Sequence, residues 1–176
     1  MMRKSKVSIF WFRRDLRLQD NCGLYHAMKY GYPVLPVFIF DRNILDDLED
    51  KSDARVTFIH QELEKINESL KKKGSKLKTF YGKPEEVFEE LLERYEVMGI
   101  YANRDYEPYA KKRDKFIYNF AKERGIQFRG FKDQVIFEKA EIIKGNEEPY
   151  LVYTPYSKKW LDKVSDEDLS SYTSAL

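Results

Sequence analysis

Val7-Ser8-Ile9-Phe10-Trp11-Phe12 runs directly into Arg13-Arg14-Asp15-Leu16-Arg17-Leu18-Gln19-Asp20-Asn21, and the change of chemistry after Phe12 decides how the chain is read. The first part reads as a strand over Lys6–Phe12, apolar on both faces and therefore buried. The second part places Arg13, Arg14, Asp15, Arg17, Asp20 and Asn21 within nine residues of that strand's end. Polar groups packed this densely beside a core strand cannot all reach water, and an unpaired buried charge is strongly destabilising. They must pair with one another or face a ligand.

Outward from this strand, strands and helices alternate. A short helix is expected around 23–30 and a second strand over 34–40. Pro36 inside that strand points to an outer position or a bulge, because proline donates no ladder hydrogen bond. A polar loop over 41–51 follows. The helix expected over 52–73 carries Val56, Ile59, Leu63, Ile66 and Leu70 on one face, with Ser52 or Asp53 as its cap and Gly74 as its stop. A third strand is expected over 76–81. Pro84 then opens a helix with Val87, Phe88, Leu91, Leu92 and Tyr95 on its apolar side. A short fourth strand is expected over 99–102. Pro108 opens a further helix, with Phe116, Ile117, Phe120 and Ala121 inward and Gly125 as terminator. Gln127–Phe131 reads as a fifth strand and Val135-Ile136-Phe137 as another extended piece.

Alternation of this kind predicts an α/β fold: a Rossmann-like, doubly wound, five-stranded parallel sheet with helices on both faces. Right-handed crossovers make 3-2-1-4-5 the expected strand order. Residues 1–164 form the expected domain, with Trp160 anchoring the outgoing chain. The polar stretch 165–176 reads as the start of a linker, so the chain stops as a fragment would.

The 176 residues suffice for one domain, and 42% apolar with 15% aromatic residues fits a folded protein. A net charge of +2 from many charges of both signs argues against a strong nucleic-acid or membrane field. Cys22 is the single cysteine, which excludes an internal disulfide and any cysteine-based zinc site, and points to a reducing cytoplasm. Neither a signal peptide nor an apolar run of about 20 residues is visible.

In a sheet of the expected order, ligands bind beyond the strand C-termini where the order reverses, here between the first and fourth strands. Phe12-Arg13-Arg14-Asp15 and Asn103-Arg104-Asp105-Tyr106-Glu107 both end there. No Gly-x-Gly-x-x-Gly and no Gly-Lys-Ser/Thr loop occurs, so a dinucleotide or P-loop site is unsupported. The arginines and aspartates after the first strand either staple that loop to the sheet or contact a ligand. Asp105 and Glu107 either bond to a heteroaromatic ring or cap the next helix. Arg55, a cation in the first turn of the long helix, opposes the helix dipole and calls for a partner, either a ligand or a carboxylate such as Glu107. His26 and His60 have no nucleophile or acid at a recognisable spacing, so no catalytic or metal-binding residues are expected.

Trp11–Asn21 resembles the opening signature of the photolyase/cryptochrome family, and three further landmarks follow in order. Asp53-Ala54-Arg55 opens the long helix, Asn103-Arg104-Asp105-Tyr106-Glu107-Pro108-Tyr109 precedes Arg113-Asp114, and Tyr153-Thr154-Pro155-Tyr156 precedes Trp160. The resemblance covers nearly the whole chain and is to the family's amino-terminal antenna domain. It implies a light-harvesting module of a parent that repairs ultraviolet-induced pyrimidine dimers or senses blue light. FAD and damaged DNA would be bound by a separate helical domain, the implied partner, and this chain alone would be inactive. The resemblance further implies an antenna pigment held by Arg13, Arg55, Asp105 and Glu107, with Phe12 and Phe40 near its ring. Folate-using members carry Asn-Glu where this chain has Tyr109 and Ala110, which favours a deazaflavin or FMN over folate. A sensory cryptochrome fragment and a pigment-free nucleotide-binding or structural domain are the alternatives. Exposed Phe and Tyr side chains lead to an expectation of weak self-association.

Overall fold

The computed structural model describes residues 4–50 and 52–173. The basic opening Met1-Met2-Arg3, Lys51 of the polar loop and the last three residues of the expected linker lie outside it. Five strands form one parallel sheet: β1 (Lys6–Phe12), β2 (Val34–Asp41), β3 (Lys78–Gly82), β4 (Glu96–Asn103) and β5 (Gln127–Phe131). Their order is β3-β2-β1-β4-β5, as the alternation predicts.

The pleat of β1 explains why the run has no polar face. Val7, Ile9 and Trp11 point to one side, where they meet Val87, Phe88 and Leu91 of α4 (Pro84–Arg94) and Ile117, Phe120 and Ala121 of α5 (Pro108–Glu123). Phe10 and Phe12 point to the other side, against Leu24 and Ala27 of α1 (Cys22–Lys29) and Leu63, Ile66 and Leu70 of α3 (Ala54–Lys71). Each large side chain buried this way contributes about 1.5–3 kcal/mol. The cores on the two faces thus share β1, and β2 and β4 divide their residues between them in the same way.

Several local expectations are corrected. β2 is an inner strand, not an outer one. Pro36 is tolerated because its neighbour on one side is β1, at Phe10, while pairing to β3 begins only at Val37. β4 begins at Glu96, straight out of α4 with no loop between them, so it is longer than the 99–102 expected. The 41–51 loop opens with a single-turn helix, α2 (Arg42–Leu45), capped by Asp41. Phe116 is 53% exposed, because the buried face of α5 runs through Ala110, Ile117, Phe120 and Ala121 and passes it by. Residues 135–137 form no strand; Phe137 instead packs edge-on against Trp160 at 5.5 Å. Trp160 belongs to α6 (Tyr153–Lys163), an element the fading pattern did not announce. Residues 164–173 have no regular structure, yet Tyr172 returns to the sheet end: its N–H donates to Asp20 Oδ1 at 2.9 Å and its ring lies 5.5 Å from that of Tyr25.

Among the described residues no helix is long and apolar enough to cross a membrane.

Candidate functional site

The polar run after β1 divides into two groups with different fates. Asp15, Asn21 and Asn103 make a buried, closed network. The Asp15 carboxylate accepts from Arg13 N at 2.8 Å, Asn21 Nδ2 at 3.1 Å and Asn103 Nδ2 at 2.6 Å. Asn21 Oδ1 accepts from Asn103 Nδ2 at 2.9 Å and caps α1 by accepting from Leu24 N at 3.1 Å. Asn103 Oδ1 accepts from Gly23 N at 2.8 Å. A β-carbon on Gly23 would stand 2.7 Å from that oxygen and 2.9 Å from the Phe10 ring, so α1 can approach β4 only with glycine here. Arg17 pairs with Asp133 at 2.9 Å, and Asp133 also accepts from Cys22 N. These groups staple the first loop to the sheet end.

Arg13 also has a structural partner. Its Nη1 donates to both oxygens of Asp114 on α5, at 2.6 and 2.7 Å. Its guanidinium carbon lies 4.7 Å from the centre of the Trp11 ring, and that of Arg113 lies 4.8 Å from the same ring. Burial first, and the neighbouring Arg13 charge second, lower the pKa of Arg113.

The other group opens onto a cavity of about 620 Å³ at the C-terminal ends of β1, β2 and β4. All six residues singled out from the sequence line it: Phe12, Arg13, Phe40, Arg55, Asp105 and Glu107. Ile44, Leu48, Val56 and Ile59 contribute further apolar wall. That is why Val56 and Ile59 remain only half-buried although they share a face with Leu63 and Ile66. Phe40 is backed by His60, whose ring stacks on it at 4.4 Å.

The rim is loosely paired. Arg14, 61% exposed, stands 3.8 Å from Asp105 Oδ2 and 3.6 Å from Glu107 Oε1, too far for hydrogen bonds. Asp105 Oδ1 accepts from Glu107 N at 3.0 Å, in a turn that leads into α5. Arg55 does not pair with Glu107. It folds onto its own helix cap, with its guanidinium donating to Asp53 at 2.5–3.0 Å, which answers the dipole argument locally. These hydrogen bonds from Arg55 hold the Asp53 carboxyl down at about 2 and raise the Arg55 pKa. The Arg55 side chain is nonetheless 78% exposed, so this pair is open to water.

Sequence reasoning passed over Tyr109 as a wall residue. Its hydroxyl donates to Asp41 Oδ2 at 2.5 Å and accepts from Asn43 Nδ2 at 3.2 Å, joining the start of α5 to the α2 turn across the cavity. Burial first, and the Asp41 carboxylate second, push this phenol up to about 12. No local signal marks such a clamp, since its partners are more than sixty positions apart. Among the described residues no three His, Cys, Asp or Glu side chains converge to hold a metal ion. The cavity has apolar walls with the Asp105 and Glu107 carboxylates and the exposed Arg55 guanidinium at one edge, the pattern of a ligand-binding pocket.

A sequence model of the DNA photolyase family matches residues 8–172. The chain is 33% identical over 152 residues to the deoxyribodipyrimidine photo-lyase of Synechococcus sp., covering 86% of this chain and 31% of that protein. A class III photolyase from Agrobacterium tumefaciens superposes with a TM-score of 0.79 at 29% identity, over 94% of this chain and 33% of that one. An archaeal photolyase from Sulfolobus tokodaii superposes with a TM-score of 0.72 at 38% identity, over 78% of this chain and 32% of that one. That structure is described as containing two FAD molecules and as implying a novel light-harvesting cofactor. The chain therefore spans about a third of the length of these relatives.

Proposed function

The chain belongs to the DNA photolyase family, and on that premise we propose that its cavity is the antenna-pigment site of a light-driven DNA-repair protein. The observation that carries this reading is the convergence of Phe12, Phe40, Arg55, Asp105 and Glu107 on one cavity at the reversal of strand order. A flavin-type ring suits these groups. Its imide edge presents an N–H between two carbonyls, so the loosely held Asp105 and Glu107 carboxylates would accept from the N–H and Arg55 would donate to a carbonyl. Phe12 and Phe40 would take the apolar faces of the ring. A deazaflavin or FMN meets this pattern, and the two FAD molecules of the Sulfolobus tokodaii relative support a flavin over a folate.

When bound, the pigment would absorb near-ultraviolet or blue light and pass its excitation to FAD in a separate helical domain of the parent protein. This chain's residues orient the ring, bury it and shield it from water. DNA contact and chemistry would belong to that other domain, working in the cytoplasm. The test is absorption of the purified chain after incubation with FMN, FAD, a deazaflavin or a reduced folate and removal of free ligand. A retained flavin or deazaflavin band, lost in an Arg55→Ala, Glu107→Ala double variant, is the expected result. A colourless protein, or a band indifferent to both substitutions, overturns the assignment. A lesion-repair assay on a longer protein carrying this domain separates repair from light sensing.

A further inference from the structure

We propose that Arg13 and Arg113 protect the excited state of a cavity-bound flavin by making Trp11 a poor electron donor, an inference that rests on the flavin reading of the cavity. Trp11 lines the cavity and is otherwise buried against Phe88, 5.1 Å between ring centres. An indole in the wall of a flavin site ordinarily quenches the excited ring: one electron leaves the indole for the excited ring, with no bond broken and no proton moved. The indole is left as a radical cation. Energy transfer to a distant acceptor is then lost.

The geometry opposes that step. Two guanidiniums lie at 4.7 and 4.8 Å from the Trp11 ring centre, where each is attracted to the neutral ring. If the ring loses an electron, both attractions become repulsions between like charges in a buried, poorly screened place. Arg13 Nε and Nη2 are buried with no hydrogen-bond partner, so for this side chain the ring face stands where a polar partner otherwise would. Asp114 offsets Arg13 at 2.6 Å but stands 3.3 Å from Arg113, and Asp41 and Tyr109 also face Arg113. Arg113 is the one to change, because Asp114 keeps its short contact with Arg13 when Arg113 is replaced.

Time-resolved fluorescence of FMN, read on the bound fraction, tests the inference. Arg113→Met is expected to shorten the lifetime about threefold or more, a modest share of the roughly tenfold that each 1.4 kcal/mol of driving force can contribute. Arg113→Lys, which keeps the cation, should restore most of it, and Trp11→Phe added to Arg113→Met should restore it fully. An unchanged lifetime in Arg113→Met overturns the inference. So does a shortening that survives Trp11→Phe, which would make Tyr109 the donor. If the wild-type chain retains no FMN, the pigment reading fails by itself and the charge effect is read without ligand. In a Trp160→Phe background, pulse radiolysis with azide radicals should give a higher yield of indole radical from Arg113→Met than from the parent. Equal yields overturn the inference.

Discussion

Asp15, Asn21 and Asn103 lie at the same end of the sheet as Arg14, Asp105 and Glu107, and both sets come from polar stretches that follow β1 and β4. The first set is closed, since each side chain's acceptor or amide group is matched by a partner within 3.1 Å in a place water does not reach. The second is open, its ion pairs stretched to 3.6 and 3.8 Å at the rim of a cavity. The first set mixes one carboxylate with two amides and the second is all charged, but what separates their roles is satisfaction. A closed polar network specifies the fold, while an open one leaves lone pairs and donors for something else to meet. Removing a member of each should therefore have opposite consequences for stability and for binding.

The largest effect is expected from Asn103→Ala. It strips Asp15, Asn21 and Gly23 N of a buried partner at once, and should cost about 3–4 kcal/mol by urea denaturation. A loss below about 1 kcal/mol would break the contrast between the two sets. Gly23→Ala comes next, at about 2 kcal/mol, because the added carbon must displace Asn103 or Phe10 from contacts of 2.7 and 2.9 Å.

A pH dependence sharpens the comparison at the cavity wall. The Tyr109 phenol titrates near 10 when unfolded and at about 12 in the fold. Its contribution is fully present below pH 10 and is lost as pH rises toward 12, since the unfolded chain ionises first. Tyr109→Phe should make the fall in stability across this window shallower by about 1 kcal/mol, after discounting for partial exposure. A slope unaltered by the substitution would remove Tyr109 from the account. The smallest effect belongs to the rim: Arg55→Ala and Glu107→Ala should each leave the urea midpoint of the unliganded chain nearly unchanged. The same two substitutions should abolish the thermal stabilisation that a bound flavin confers.

Much of this end of the molecule was legible along the chain. Arg13, Arg55, Asp105 and Glu107 announce themselves by type and position: polar groups immediately beyond apolar strands, and a cation at the wrong end of a helix. Phe12 and Phe40 were singled out only through the family resemblance. Asp133 and Asn43 were not legible, because each acts through a partner far away in sequence. Arg55 was flagged correctly as needing a partner, but the nearest carboxylate proved to be its own cap. Phe116 was misplaced because a run of apolar residues on a helix does not say which edge of the stripe reaches the core.

What the sequence determined alone was periodic and local. It set the two-sided apolar run of β1, the alternation of strands and helices, a cap of the long helix at Ser52 or Asp53, of which the structure uses Asp53, and the stop at Gly74, whose φ of +74° suits glycine. Strand order followed from these through the handedness of crossovers. Tertiary structure alone decided which charges are held and which are free. Pairing depends on distances between residues such as Asn21 and Asn103, or Arg13 and Asp114, which are neighbours only after the sheet has formed. The free energy of a charge is set by its partners and its exposure to water, and neither quantity exists before the chain has folded.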